Sequence, residues 1–185
     1  MLKLLIFNYF HRNILDTIAY NEALINNLIK KNQSEEAIPY IKSLLDMNPD
    51  NHDYHDLLMK ATNPEDKAVF FDNLLKDYPQ STSIKLRRLQ TLSGDHFKTA
   101  LNEYIKPYFE KAQPSLFSEI KSLYKCADKI PLIEQVLLET ELNAATGANP
   151  CCLLWSFMLL AQHFDHLQQF QKGLDYIEKV IFLII

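Results

Sequence analysis

Two distant stretches of this chain repeat one helix-pair spacing. Phe157-x-x-Leu160-Ala161-x-x-Phe164 is followed, nine residues after Phe164, by Gly173-x-x-x-Ile177. Leu24 and Leu28 hold the first-helix positions of an earlier copy, and Ala37 follows Leu28 by the same nine, leading to Ile41 and Pro49. A small residue facing a large one lets two helices cross closely, which is the tetratricopeptide arrangement. One such pair cannot bury its apolar face alone, so pairs stack. The spacing therefore predicts an all-α, tetratricopeptide-like helical-repeat solenoid of about five helix pairs. Arrays of this kind usually hold other proteins.

The rest of the chain reads as helices with polar punctuation. A first helix is expected from about Ile14 to Lys31, and a second carries Ala37, Ile41, Leu44 and Leu45 and stops at Asn48-Pro49-Asp50. Pro39 should cost that helix a bond if it starts as early as Glu35. The second pair carries Tyr54, Leu57 and Leu58, then Phe70, Phe71, Leu74 and Leu75, with Asn63 expected as the cap and Pro64 as the first helical residue between them. Pro49 and Pro79 lie 30 residues apart, short of the roughly 34 of a regular repeat, so the repeats are degenerate.

A third pair has Ile84, Leu86, Leu89 and Leu92, a turn at Ser93-Gly94-Asp95, then Ala100 and Tyr104, with a kink expected at Pro107. Pro114 opens a fourth, whose first helix carries Leu116, Ile120, Leu123 and Tyr124 and whose second starts near Asp128. Gly147-Ala148-Asn149-Pro150 precedes the fifth. Residues 1–185 thus read as one degenerate array, with a divergent start over 1–13 and an atypical apolar end over 180–185. Neither end carries the polar cap that a terminal repeat needs, so the chain is expected to be part of a longer solenoid.

Composition narrows the chemistry. Three glycines, Gly94, Gly147 and Gly173, lie too far apart for a P-loop, a dinucleotide fingerprint or a nucleophile elbow. A net charge of −4 argues against a general or sequence-specific nucleic-acid binder. Cys126, Cys151 and Cys152 are odd in number and suit reduced thiols in a cytoplasmic protein. No apolar run reaches the roughly 20 residues needed to span a bilayer. Met1 to Phe7 is faintly signal-like, but Asn8, His11 and Arg12 interrupt it and no cleavage site follows.

Several constellations have a chemical and a plain reading. His52-x-x-His55 and His163-x-x-His166, with Asp53, Asp56 and Asp165 nearby, have metal-compatible helical spacing, but no third and fourth ligands lie close by in the sequence. Solvated or capping histidines are the better reading, and no metal or cofactor is assigned. Cys151-Cys152 is not a redox C-x-x-C and reads as packing. Trp155, Phe157, Phe164, Phe170 and Tyr176 fall at helical intervals and read as repeat core before recognition platform. Lys85, Arg87 and Arg88 form the compact basic cluster, with Lys85 and Arg88 on one helical face. They are the candidate partner-docking residues; structural ion pairing is the alternative.

The segments LRRLQTLSGDHFKTALNEYIKPYFEKAQPSLF, SLYKCADKIPLIEQVL and LLWSFMLLAQHFDHLQQFQKGLDYI resemble the large auxiliary subunit of the NatA N-terminal acetyltransferase over roughly Lys30 to Lys179. Leu86-Arg87-Arg88-Leu89 with Ser93-Gly94, Ser122-Leu123-Tyr124-Lys125, and Leu153-Leu154-Trp155 with Ala161-Gln162-His163-Phe164-Asp165 carry it, since a generic repeat consensus does not produce these strings. The resemblance implies a cytoplasmic, non-catalytic scaffold that wraps the catalytic acetyltransferase subunit and helps place it at the ribosome, where the complex acetylates nascent N-termini. Members of the family are several times longer, so this chain corresponds to an internal part of one. The competing expectations are a generic peptide-binding adaptor, for which Lys30, Lys31, Asn26 and Asn27 are too few to form a repeated carboxylate clamp, a metal hydrolase on the histidine pairs, and a truncated piece without a role of its own.

Overall fold

The computed structural model describes residues 17–111, 116–146 and 150–184. All regular structure among them is helical. The chain divides into two compact units between Lys85 and Leu86, inside the helix Thr82–Thr91.

The first unit starts with α1, described over residues 17–30, and continues with α2 (Ser34–Met47), α3 (His52–Thr62) and α4 (Lys67–Asp77). Its core gathers Ile25 from α1, Ala37, Ile41, Leu44 and Leu45 from α2, Tyr54, Leu58 and Ala61 from α3, and Phe71 and Leu74 from α4. The 3.6-residue period explains each set: Ile41, Leu44 and Leu45 share one face of α2. Pro39 lies inside α2. The carbonyl that loses a partner is that of Glu35, in the exposed first turn where water can serve it.

The 30-residue period between Pro49 and Pro79 recurs in the backbone. α2 ends at Met47 and α4 at Asp77, and each is followed by a residue whose N–H bonds four back, Asn48 to Leu44 O at 3.0 Å and Tyr78 to Leu74 O at 2.9 Å. Asn51 N then donates to Asn48 O (3.3 Å) as Ser81 N does to Tyr78 O (3.1 Å), and α3 and α5 (Thr82–Thr91) begin one residue later. Both copies of the proline turn thus make the same bonds.

Asn63 departs from expectation. It closes α3 in the left-handed conformation, φ 43°, and Asp66 is the residue that caps α4, accepting from Ala68 N at 2.7 Å and Val69 N at 3.2 Å. Asparagine tolerates both the N-cap and the left-handed C-cap, so its neighbours decide. A carboxylate able to reach two helix N–H groups at Asp66 leaves Asn63 the end of α3.

The second unit holds the rest of α5, then α6 (Gly94–Glu110), α7 (Leu116–Ile120), two 3-10 turns (Lys121–Lys125 and Ala127–Lys129), α8 (Ile130–Thr146), α9 (Pro150–His166) and α10 (Phe170–Ile184). Leu89, Phe97, Leu101, Ile105, Ile120, Leu123, Ile133, Leu160 and Phe164 form its core. α6 packs on α8 and α9, and α10 lies along α9. Gly94 and Asp95 belong to α6, so the turn is shorter than the sequence implied; Gly94 starts the helix at φ +55°, a conformation that costs other residues strain. The helix continues through Pro107. Pro114 lies outside the described residues, as does the divergent start over 1–13.

The largest difference concerns the fourth pair. Its first helix was expected to carry Leu116 through Tyr124, yet α7 stops at Ile120 and tighter 3-10 winding follows. Both 3-10 turns carry a side chain committed to a distant partner, Tyr124 and Lys129, and these contacts outweigh the helical pattern.

Candidate protein-interaction surfaces

The first unit places its chemistry-bearing residues at the proline turns. Asp50, in the first turn, accepts from Ser81 Oγ (2.6 Å) and Ser83 N (3.0 Å). Its charge thus sits at the N-terminus of α5, where exposed N–H groups favour an anion. Burial, with the hydrogen bond that Tyr78 OH donates to Asp46 at 2.6 Å, pushes the phenol upward from its usual pKa. His55 is fully buried and its Nε2 lies 2.7 Å from Pro49 O. A carbonyl only accepts, so Nε2 carries the proton. His52 Nε2 meets Ser83 Oγ at 3.0 Å. This histidine pair braces a turn, and His55 is a core residue where a solvated or capping one was expected.

The second pair of histidines divides similarly. His163 is fully buried; His166 is exposed. Tyr124 OH lies 2.7 Å from His163 Nδ1, and Glu134 Oε2 lies 3.5 Å from Nε2, too long for a good hydrogen bond. The nearby carboxylate charge favours the tautomer with the proton on Nε2, in which Tyr124 donates to Nδ1. Burial lowers the His163 pKa; Glu134 opposes this without overcoming it. The ring is therefore neutral, and it ties the first 3-10 turn to α9. Among the described residues no three His, Cys, Asp or Glu side chains gather as metal ligands would.

Lys129 carries no sequence signal, yet it is almost fully buried. Its ammonium donates to Leu89 O (2.8 Å) and Gln90 O (2.7 Å) and lies 5.0 Å from the Phe97 ring centroid. It terminates α5 from a distance, placing a cation where the last carbonyls concentrate negative charge. Burial lowers its pKa, against the opposing pull of Cys126 and Asp128.

Lys85, Arg87 and Arg88 all lie on α5 and all are half-buried. Arg87 and Arg88 also engage other groups of the chain. The cluster is thus no freely solvated patch. Cys151 and Cys126 are exposed, while Cys152 is half-buried with Sγ 3.6 Å from Phe109 O. Only Cys152 fits the packing expected of the pair. Phe157 and Phe164 are core, Trp155 and Tyr176 half-buried, and Phe170 is exposed against expectation.

The α9–α10 pair carries an open apolar surface. A Cβ on Gly173 would lie 3.4 Å from Ala161 O and 3.6 Å from Asp165 N, ordinary contact distances that mark a close crossing of the two helices. Phe164 and Tyr176 stack over it with centroids 5.6 Å apart. Tyr176 donates to Glu141 at 2.8 Å, locking α10 to α8. Beside the crossing runs an apolar groove of about 340 Å³, lined by Met158, Ala161, Phe170, Gly173, Leu174 and Ile177. Exposed Ile181 and Ile184 lie further along the same face of α10. No described helix is long and apolar enough to cross a membrane. All-helical repeat arrays with open surfaces are generally used to hold other proteins.

Comparisons with known proteins agree. The chain is 32% identical to the N-terminal acetyltransferase A complex auxiliary subunit NAA15 of Arabidopsis thaliana, over 91% of its own length and 21% of the relative's. It is 28% identical to the human N-alpha-acetyltransferase 16, NatA auxiliary subunit, over 93% of this chain and 22% of that one. A solved structure of Naa15/Naa10 bound to HypK-THB superposes with a TM-score of 0.82 at 29% identity, covering 91% of this chain and 27% of the matched one. The chain therefore spans about a fifth of the length of these curated relatives. The family of N-terminal acetyltransferase A auxiliary subunits matches residues 4–183, and this chain belongs to it.

Proposed function

We propose that this chain is part of the non-catalytic scaffold of a cytoplasmic N-terminal acetyltransferase complex, contributing to the surface that holds the catalytic subunit and places it near the ribosome. The family match over residues 4–183 carries the reading. The related solved complex pairs Naa15 with Naa10, which supports a catalytic subunit as the partner. The all-helical repeat fold supports it further, because such arrays offer extended surfaces for other proteins.

Lys85, Arg87 and Arg88 are the proposed docking residues. Partial burial on α5 holds their stems in place, and Arg charge suits an acidic partner surface or phosphate. The test is co-elution of the purified chain with the catalytic acetyltransferase subunit on size exclusion, repeated with Arg87→Ala/Arg88→Ala. Co-elution lost in the double variant at unchanged helicity supports both statements. A folded chain that never co-elutes refutes the scaffold role for this segment. A double variant that unfolds assigns the arginines to structure.

A further inference from the structure

Because α7 stops at Ile120, the chain passes the end of α5 as two tight 3-10 turns, and each turn bonds to it. In the first, Ser122 Oγ accepts from Gln90 Nε2 at 3.1 Å. In the second, Lys129 Nζ donates to Leu89 O at 2.8 Å and Gln90 O at 2.7 Å. Thr91 Oγ1 donates to Arg88 O at 2.7 Å. Arg88 O, Leu89 O and Gln90 O, among the carbonyls a helix end leaves without helical partners, are thus all paired inside the protein. Gln90 is held by its backbone and by its side chain, which makes the end of α5 and the first 3-10 turn one rigid platform.

The platform shows solvent a polar and cationic face. Gln90 is exposed, Ser122 is half-buried, and Lys121 and Lys125, which bracket Ser122, are exposed. Among the described residues neither lysine has an ion-pair partner. Three residues complete a 3-10 turn, so Lys125 eclipses Ser122. Arg87 stands one turn before Gln90 on the same face of α5, but it already engages another group of the chain. The open positive charge of this face is therefore that of the two lysines.

Unused hydrogen-bonding capacity says what fits there. Gln90 keeps a second N–H and its side-chain carbonyl, and Ser122 keeps its hydroxyl proton to donate. A polypeptide backbone offers a donor and an acceptor at each residue and meets both, whereas a phosphate offers acceptors alone. Two ammonium groups suit two carboxylates. A nucleic-acid backbone needs a longer run of cations, and here exposed Glu119 and Asp128 stand close to the lysines in the chain.

We propose that Gln90, Ser122, Lys121 and Lys125 form a docking surface for an extended, acidic segment of another protein. The lysines take its carboxylates, and the Gln90–Ser122 pair takes the backbone between them. This surface adjoins the arginine cluster and does not rest on its docking role.

Fluorescence anisotropy on the full chain at low salt, with a labelled polyglutamate peptide, reads the binding. Saturable binding is expected. Lys121→Ala/Lys125→Ala should weaken it about fivefold and Gln90→Ala about threefold, each at unchanged helicity. Lys60→Ala/Lys67→Ala removes the same charge from exposed sites of the first unit and should change it by less than about twofold. Polyglutamate binding with these losses, in a chain that never co-elutes with the catalytic subunit, would support this surface and refute only the arginine docking. Absence of saturable binding overturns the proposal. So does an equal loss in the two lysine double variants, or tighter binding of labelled polyuridylate that Lys121→Ala/Lys125→Ala abolishes, which would make the surface a nucleic-acid site.

Discussion

The first unit is regular and the second is not, and they are held by different means. In the first, two proline turns 30 residues apart make the same backbone bonds, and exposed Asp50 joins them through buried Ser81 and the Ser83 backbone. In the second, the expected first helix of the fourth pair is cut short, and buried Tyr124, Lys129 and His163 hold its remains. Regular repeats need only local rules. An irregular one needs specific long-range polar partners, and each of those is costly to remove because it leaves a buried group unserved.

The contrast can be broken most severely at the α9–α10 crossing. Ala161→Arg forces a long charged chain into a buried position at the close α9–α10 crossing, and should cost about 4 kcal/mol. Hydrogen exchange should show α9 and α10 losing protection while α2 and α3 keep theirs; unchanged melting of the variant would refute the crossing. Lys129→Met keeps the apolar stem and removes the ammonium from Leu89 O and Gln90 O. A loss of about 2 kcal/mol is expected by denaturant titration. A neutral result would make Lys129 a packing residue.

Asp50→Ala tests the joints of the first unit and should cost about 1 kcal/mol, since Asp50 is itself exposed and Ser81 Oγ keeps Pro49 O as an acceptor. A loss larger than that of Lys129→Met would reverse the comparison. The smallest effect concerns pH. His163 has its pKa lowered in the folded chain, so below about 6.5 the unfolded state takes up more protons and stability falls as pH falls. His163→Gln should flatten that slope in the exchange of α9 amides. An identical slope in the variant would place the titration elsewhere.

Much of the regular architecture is legible in the residues. Apolar residues at helical intervals mark α1 to α6 and α8 to α10, the Pro49–Pro79 interval marks the repeat, and Leu160-Ala161 with Gly173 marks a close crossing. Asn63 misled because one residue type serves both ends of a helix. The histidine pairs misled because spacing along a helix does not say which member faces the core: His55 and His163 do, His52 and His166 do not. Lys129 is invisible to any local pattern, for its partners lie about forty residues away.

Helix periodicity is a property of neighbours in sequence, so the sequence by itself determined the all-helical class, the pairing and the family. Burial of a polar side chain, the break after Ile120 and the open face of α10 depend on what other elements bring alongside. Those were decided only by tertiary structure, because the free energy of a buried group is set by its partners in space.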